Sequence, residues 1–460
     1  MRALEYAASN KVPHLIDAVQ HEDQIRNGAR AALIDKNIIL STIGLEKYFF
    51  AKWEPLLVDL MVVAAAIEYC DIVHRRPPLG WARSFDVRIA VHLPEIWQKS
   101  NVQNSIVSAA NLLTGDKWKF SFEKRTRPAE RAQEQLLELG SSAKIVMPYS
   151  DGLDSRAVAA LIASQERDSL VRVRLGARGS DQSVPLRRRY PFTVVPYAVR
   201  VSKRDRRESS VRSRGFKFSV VTGAAAHLSG VKRVVVTESG QGIFGPVLTV
   251  SGHMHPDYRV HPTFLRKIES IFYSLFGESP RYEFPRIWST KGETIAAAIA
   301  LPSKFDLSNT RSCWQQSRQV SVDGRRIQCG VCAACLLRRI SMHRAGLSEP
   351  RKTYVCDDLS LPSLDNCAAL GFSRIGRAFR EYAIAGVLYL DHLASMAESK
   401  LHLEVKRRIA REVASAEDIN SSTAEKNLQE LLERHRDEWI NFMRHVGSKS
   451  FIYDIASVRP

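Results

Sequence analysis

Apolar and polar positions alternate with two different periods along the chain, and the changes of period divide it into three regions. In the first, FDVRIAVHL (Phe85–Leu93) and WKFSFEKR (Trp118–Arg125) read as strands, and NSIVSAANLL between them steps by three and four residues, as a helix does. The two strands are expected to form a hairpin-like pair in an N-terminal α+β domain spanning residues 1–140. The longest apolar run, Leu56–Val73, carries Asp59, Glu68 and Asp71. Three carboxylates would be costly in a bilayer, so this run predicts a buried helix with a wet edge rather than a membrane span. Pro128 and the Glu/Gln-rich helical pattern after it read as the connection to the next region.

From residue 141 to 348 short apolar runs alternate with helical patterns. AKIVMPYS, LVRVRL, FTVVPYAV and VKRVVVTES read as strands, and strands alternating with helices predict a parallel sheet covered on both faces. Ligands of such sheets sit beyond the carboxyl ends of the strands, which places Ser150–Ser155 and Glu238 at one rim. The third region, residues 349–460, is helical in pattern. Ser422 and Glu425 are spaced as a capping box ahead of Leu428, Leu432, Trp439 and Met443, whose spacing predicts a core-facing stripe.

Composition narrows the class. A chain of 460 residues exceeds one core of ordinary size, and 45% hydrophobic with 25% charged residues is the balance of a soluble globular protein. The N-terminal MRALEYAASNKVPHL has no apolar stretch of signal-peptide length, so a cytoplasmic location is expected. The net charge of +18, from 67 Lys and Arg against 49 Asp and Glu, favours polyanionic partners. Part of the excess sits in LRRRY (Leu186–Tyr190) and SKRDRRESSVRSRGFKF (Ser202–Phe218). These runs read equally as solvated basic loops, and the sequence has no RNA-recognition or helix-turn-helix signature; tRNA stays open as a partner.

The stretch VMPYSDGLDSRAVAALIA carries the first chemistry. A strand ending near Ser150 and a helix starting near Asp154 leave backbone N–H groups facing the gap, and Gly152 allows close approach. The turn is neither a Walker loop nor a dinucleotide fingerprint. It offers the hydroxyls of Ser150 and Ser155, with Asp151, Gly152, Leu153 and Asp154 between them. Hydroxyls and amides bind phosphate, whereas the carboxylates repel it unless magnesium lies between, so a magnesium nucleotide suits the turn. Plain helix capping by Asp and Ser remains the alternative.

The second constellation is Cys313, Cys329, Cys332 and Cys335, four of the seven cysteines. Four thiolates satisfy a tetrahedral zinc and leave no position for a reactive water, so the ion would be structural. An iron–sulfur cluster competes, given the tight spacing of the last three. His253 and His255 have the alternation of a metal pair but no third ligand close in sequence.

Together the turn and the cysteines, with SCW upstream and CGVCAACLLRR at the end, resemble QueC, the 7-cyano-7-deazaguanine synthase family of PP-loop ATP pyrophosphatases. The resemblance runs from about Ala143 to Pro350. The family's P-G-R-N segment falls on Arg212-Ser213-Arg214-Gly215 and keeps Arg214. Its aspartate-x-arginine element falls on Asp257 and Arg259, and its S-K-x-E segment on Thr290, Lys291 and Glu293. The resemblance implies an α/β fold: a PP-loop, Rossmann-type parallel sheet with a zinc knuckle, here flanked by the N-terminal α+β domain and a C-terminal helical extension. It also implies ATP, Mg2+ and Zn2+ as cofactors and a carbon–nitrogen ligase that activates 7-carboxy-7-deazaguanine as an acyl-adenylate. In such an enzyme Asp154, Lys291 and Arg214 are catalytic, Ser150–Ser155 hold ATP and magnesium, and Glu238, Asp257 and Arg259 meet the substrate.

Departures from the pattern are specific. Asp151 stands where the S-G-G-x-D-S hinge of the family has its second small residue, and Gly215 where it has asparagine. The long N-terminal domain and helical tail resemble the QueC-like proteins of bacterial anti-phage operons, the QatC-like branch. That branch implies a protein partner from the same operon whose amine receives the 7-deazaguanine. A tRNA-modifying PP-loop enzyme and a non-catalytic zinc-knuckle scaffold are the alternatives.

Overall fold

The computed structural model describes residues 12–42, 51, 54–78, 80–125, 143–166, 169–175, 192–209, 211–250, 252–302, 307, 310–315, 320–369, 372 and 375–460. The LRRRY run and the Glu/Gln-rich stretch after Pro128 lie outside the described residues.

The first elements are β1 (His14–Ala18), β2 (Arg30–Ala31), β3 (Ile38–Leu40), α1 (Pro55–Val73), β4 (Ser84–Val91), α2 (Pro94–Trp97), α3 (Ser100–Thr114) and β5 (Lys117–Lys124). They are followed by β6 (Ile145–Pro148), α4 (Leu153–Glu166), β7 (Leu170–Leu175), β8 (Phe192–Val195), β9 (Tyr197–Val199), α5 (Arg214–Leu228) and β10 (Arg233–Val235). Next come α6 (Gly240–Leu248), α7 (Pro262–Phe276), β11 (Arg281–Glu283), α8 (Lys291–Ile299), β12 (Ser321–Val322), β13 (Arg325–Arg326) and α9 (Ala333–Arg344). Helices α10 (Arg377–Ser395), α11 (Leu403–Glu417), α12 (Ser421–Val446) and α13 (Phe451–Ile455) complete the chain. These elements form two compact units: residues 1–148, 166–236 and 250–285 in one, and 149–165, 237–249 and 286–460 in the other.

The first unit holds two parallel sheets. One has the strand order β2-β1-β4-β5, the other β11-β10-β6-β7-β8. Of the strands read from the sequence, FTVVPYAV breaks at Pro196 into β8, which joins the five-stranded sheet, and β9, which pairs antiparallel with β3; the others are present, and β11 joins beside β10. The hairpin expected of Phe85–Leu93 and Trp118–Arg125 does not form. β4 and β5 pair in parallel over their whole length, from Ser84 opposite Lys117 to Val91 opposite Lys124. The reason is α3 between them, because a helical crossover returns the chain to the same end of the sheet and imposes parallel pairing.

Helix α1 corrects a second expectation. Its edge is dry: Asp59 and Asp71 are fully buried and Glu68 nearly so. Each carboxylate has partners instead of water, as burial demands. Asp59 accepts from the backbone N–H of His92 at 2.9 Å and from the indole of Trp97 at 3.3 Å. Glu68 takes the Lys217 ammonium at 2.7 Å. Asp71 pairs with Arg76 at 3.1 Å and Arg83 at 2.6 Å, and it also accepts the backbone N–H groups of Arg212 (2.7 Å) and Ser213 (2.9 Å). Asp116 closes this network onto the same two arginines. Among the described residues no helix is long and apolar enough to cross a membrane.

The second unit is mainly helical. Helix α12 packs against α9, α10 and α11, burying Leu428, Leu432, Trp439 and Met443 as their spacing predicts. Its start differs from expectation. The cap is Asn420, whose Oδ1 accepts the Ser422 N–H at 2.8 Å, in place of a capping box between Ser422 and Glu425. An asparagine one residue ahead of the helix offers a short, rigid acceptor and so takes the cap. In the cysteine segment β12 and β13 form a small antiparallel ribbon, turned by Asp323 (φ 48°) and Gly324 (φ 73°). An Asp-Gly pair with both residues left-handed is the turn that matches strand twist.

Asp71→Ala would remove one of the two carboxylates that meet the buried Arg83 at 2.6 Å and the acceptor of the Arg212 and Ser213 N–H groups. The expected loss is roughly 3–5 kcal/mol of unfolding free energy in a denaturant titration. Glu381→Ala, which breaks the exposed Arg377–Glu381 pair, is expected to leave the midpoint unchanged; equal effects from the two changes would contradict the network.

Candidate active site and four-cysteine cluster

Strand β6 ends at Pro148 and α4 begins at Leu153, so residues 149–152 form the turn. The small residues at its exit let it close tightly. Ser150 Oγ lies 3.0 Å from Ser155 Oγ and accepts the Gly152 N–H at 3.1 Å. One amide expected to face the gap is therefore used inside the turn, and it fixes the two hydroxyls side by side. Leu153 is fully buried and packs with Ile295 of α8 and Met342 of α9, which anchors the helix start.

Asp154, in the first turn of α4, forms an ion pair with the Lys291 ammonium at the first turn of α8. Both side chains are largely withdrawn from solvent, at 16% and 9% exposure, so the pair is screened far less than one on an open surface. Thr290 caps α8 by accepting the Glu293 N–H at 3.1 Å, and the Glu293 side chain accepts the Thr290 N–H at 2.8 Å. That reciprocal box fixes where Lys291 leaves the backbone. The S-K-x-E-like segment thus works first as a helix start.

Sequence reasoning missed Arg311. Its backbone N–H donates to Asp151 O at 2.8 Å, and its guanidinium holds the carbonyls of Ile327 (3.1 Å) and Gln315 (2.7 Å). The turn and the cysteine segment are therefore joined directly, two residues before Cys313. Gln241 was also missed, though it is a buried amide inside the apolar run GQGIFG; its Oε1 accepts the Lys291 N–H at 2.7 Å. A polar residue in such a run is the signal that could have found it.

Glu238 lies just before α6 in the same unit, its carboxylate folded over Gly242. Strands β6 and β10 are parallel neighbours, so the turn and the Glu238 segment leave adjacent strand ends. Arg214, Asp257 and Arg259 belong to the first unit. Arg214 is exposed at the start of α5. Asp257 is buried, not a surface pair: it accepts Arg259 Nε at 2.8 Å and Arg212 at 2.7 Å. Burial pushes its carboxyl up, and the two guanidinium groups outweigh that and hold it below the usual carboxylate range. Gly215 explains why asparagine is absent there: a Cβ would come within 2.8 Å of both Arg259 Cα and Arg259 O. His255 Nε2 bonds Leu112 O at 2.7 Å, and among the described residues His255 joins no cluster of metal-ligating side chains.

The four cysteines converge. Their sulfurs lie within 4.8 Å of one another, all four residues are buried, and none is in a disulfide. Cys329 Sγ and Cys335 Sγ are 3.7 Å apart. A tetrahedron with metal–sulfur bonds of about 2.3 Å has edges of about 3.8 Å, so the cluster fits zinc. Backbone N–H groups of Cys329 (3.3 Å) and Gln315 (3.4 Å) point at Cys313 Sγ, and those of Cys332 (3.2 Å) and Val331 (3.5 Å) at Cys329 Sγ. Such donors stabilise thiolates and orient them.

Metal analysis of the purified protein is expected to give one zinc per chain, with no visible absorption of an iron–sulfur chromophore. Cys335→Ser should lower zinc content and the unfolding midpoint together. Full metal content in that variant would remove Cys335 from the ligand set.

Residues 207–346 match the family model for QueC, queuosine biosynthesis protein QueC. Over 76 residues the chain is 42% identical to 7-cyano-7-deazaguanine synthases of Cupriavidus taiwanensis and Cupriavidus necator. That alignment covers 16% of this chain and spans 30% of the length of each relative. No solved structure matches the chain. The family match holds Arg214, Glu238, Asp257, Arg259, Lys291 and all four cysteines, the turn at Ser150–Ser155 precedes it, and over this segment the chain is similar to QueC.

Proposed function

We propose that the protein is an ATP-dependent ligase that activates 7-carboxy-7-deazaguanine and passes it to a nitrogen nucleophile. The observation that carries the reading is the Asp154–Lys291 pair, set on a strand-turn-helix with two adjacent hydroxyls and tied through Asp151 and Arg311 to a four-sulfur cluster. A carboxylate resists attack by an amine until one of its oxygens becomes part of a better leaving group. In the proposed reaction a carboxylate oxygen attacks the α-phosphorus of ATP and pyrophosphate leaves. The amine nitrogen then attacks the acyl carbon, and AMP leaves with the carboxylate oxygen.

The chain's share of this work is electrostatic. Ser150 and Ser155 present hydroxyls to the departing pyrophosphate, and Lys291, held by Asp154, supplies a fixed positive charge where negative charge grows. Asp151 and Asp154 suit magnesium, which takes one or two carboxylates and completes its shell with phosphate oxygens; when bound it would offset triphosphate charge. Arg214 keeps the phosphate role, and Glu238, Asp257 and Arg259 the substrate roles, that the family pattern gives them. Cys313, Cys329, Cys332 and Cys335 hold zinc as a structural centre.

The acceptor is ammonia in the simpler form of the reaction, giving an amide whose oxygen is adenylated by a second ATP and leaves with AMP as the nitrile forms, or a partner protein's amine in an anti-phage system in the bacterial cytoplasm. The large regions outside the family match, residues 12–206 and α10–α13, favour a partner. A nucleic-acid substrate has one observation in its favour, the exposed Lys203, Arg204, Arg206 and Arg207.

Mass spectrometry of the protein with ATP, Mg2+ and 7-carboxy-7-deazaguanine, with and without proteins of neighbouring genes, tests the reading. AMP should form only with the carboxylate present, and Asp154→Asn should lose about 100-fold or more in rate. Full function in Asp154→Asn would instead mark a scaffold. Binding of tRNA that weakens steeply with salt would select the nucleic-acid reading.

A further inference from the structure

Helix α12 lies beyond the matched segment, yet it reaches the residues on which Lys291 depends. The chain of contacts has a direction that chemistry fixes. His435 Nε2 faces Leu390 O at 3.0 Å, and a carbonyl can only accept, so Nε2 carries the hydrogen. His435 is fully buried, which pushes its imidazole down to about 4 and keeps it neutral. Its Nδ1 is then a lone pair, and the partner at 2.9 Å, Gln241 Nε2, must donate. With the amide so oriented, Gln241 Oε1 is left to accept the Lys291 N–H at 2.7 Å. Reversing the amide would set donor against donor.

A second arm runs through Glu438. It takes the hydroxyl of Thr290, whose Oγ1 is thereby oriented to accept from Glu293, and it also faces Gln241 Nε2 at 3.3 Å. Gly292 lets the helix come this close, since a Cβ there would sit 2.9 Å from Glu438 Oε1 and 2.7 Å from Arg344 Cγ. Burial raises the Glu438 carboxyl to about 7. Glutamine in its place keeps one oxygen to accept from Thr290 but turns an N–H toward Gln241 Nε2.

From these contacts we infer that Glu438 and His435 of α12, acting through Gln241 and Thr290, are positioning residues that aim Lys291 at Asp154 and so make phosphate handling depend on the C-terminal helices. The inference rests on the reading of Lys291 as a phosphate-directed cation. It adds that the appended helices are part of the active site's support.

The test compares Glu438→Leu, Glu438→Gln and Gln241→Leu in the full-length protein. Two readouts are used: AMP formation from ATP with 7-carboxy-7-deazaguanine, and the rate of Lys291 acylation by a lysine-selective reagent, followed by peptide mass spectrometry. Glu438→Leu and Gln241→Leu should lower the maximal rate of AMP formation by about 100-fold, as a misplacement near 1 Å does, with KM changing less than about threefold. Glu438→Gln should lose clearly less than Glu438→Leu, because it still accepts from Thr290. Lys291 should acylate several-fold faster in both leucine variants, with unfolding midpoints shifted by no more than about 5 °C.

The acylation arm stands apart from the proposed substrate. If the wild-type protein makes no AMP while the leucine variants still expose Lys291, the functional reading fails and the positioning survives. Acylation unchanged in both leucine variants overturns the positioning, whatever the AMP rates show. Glu438→Gln as inactive as Glu438→Leu overturns the role assigned to that carboxyl.

Discussion

A charge taken out of water must be met by an opposite charge or by several hydrogen-bond donors, and this constraint ties together segments far apart in the sequence. Asp71 is the clearest case. Its two oxygens serve Arg76, Arg83 and the N–H groups of Arg212 and Ser213, so α1 fixes the approach to α5. Removing one member leaves the others buried with a charge short, which makes the network costly to break though of modest net value when intact. The Asp154–Lys291 pair obeys the same constraint in the second unit, where the start of α8 is held from both sides.

Those two networks have a common logic. Each appended region, α1 on one side of the family segment and α12 on the other, supplies a buried carboxyl that binds backbone or cap groups of a family motif. Asp71 reaches the segment carrying Arg214, and Glu438 reaches the segment carrying Lys291. Motif residues need fixed geometry, and hydrogen bonds to their backbone give it without occupying their side chains.

What could be read from the sequence was local. Four strands of the five-stranded sheet, the turn at Ser150–Ser155 and the buried stripe Leu428, Leu432, Trp439 and Met443 follow from period and spacing, and the cysteines meet as expected of them. What was hidden depends on partners at long range. Asp59, Glu68 and Asp71 looked like a wet edge because nothing near them in sequence announces Trp97, Lys217 or Arg83. Parallel pairing of β4 with β5 was obscured because alternation marks a strand but not its direction. Arg311 and Gln241 act through a backbone N–H and an amide orientation, which side-chain identity does not reveal.

The division of the chain has a consequence for how the protein is made. Neither unit is one continuous piece: the polypeptide passes between them at residues 148, 165, 236, 249 and 285. During synthesis β11 of the five-stranded sheet and the helices that bury Leu153 therefore emerge long after β6 and the turn. The nascent five-stranded sheet must wait, with an open edge beside β10, until Glu283 has left the ribosome, a delay that favours chaperone capture over folding domain by domain.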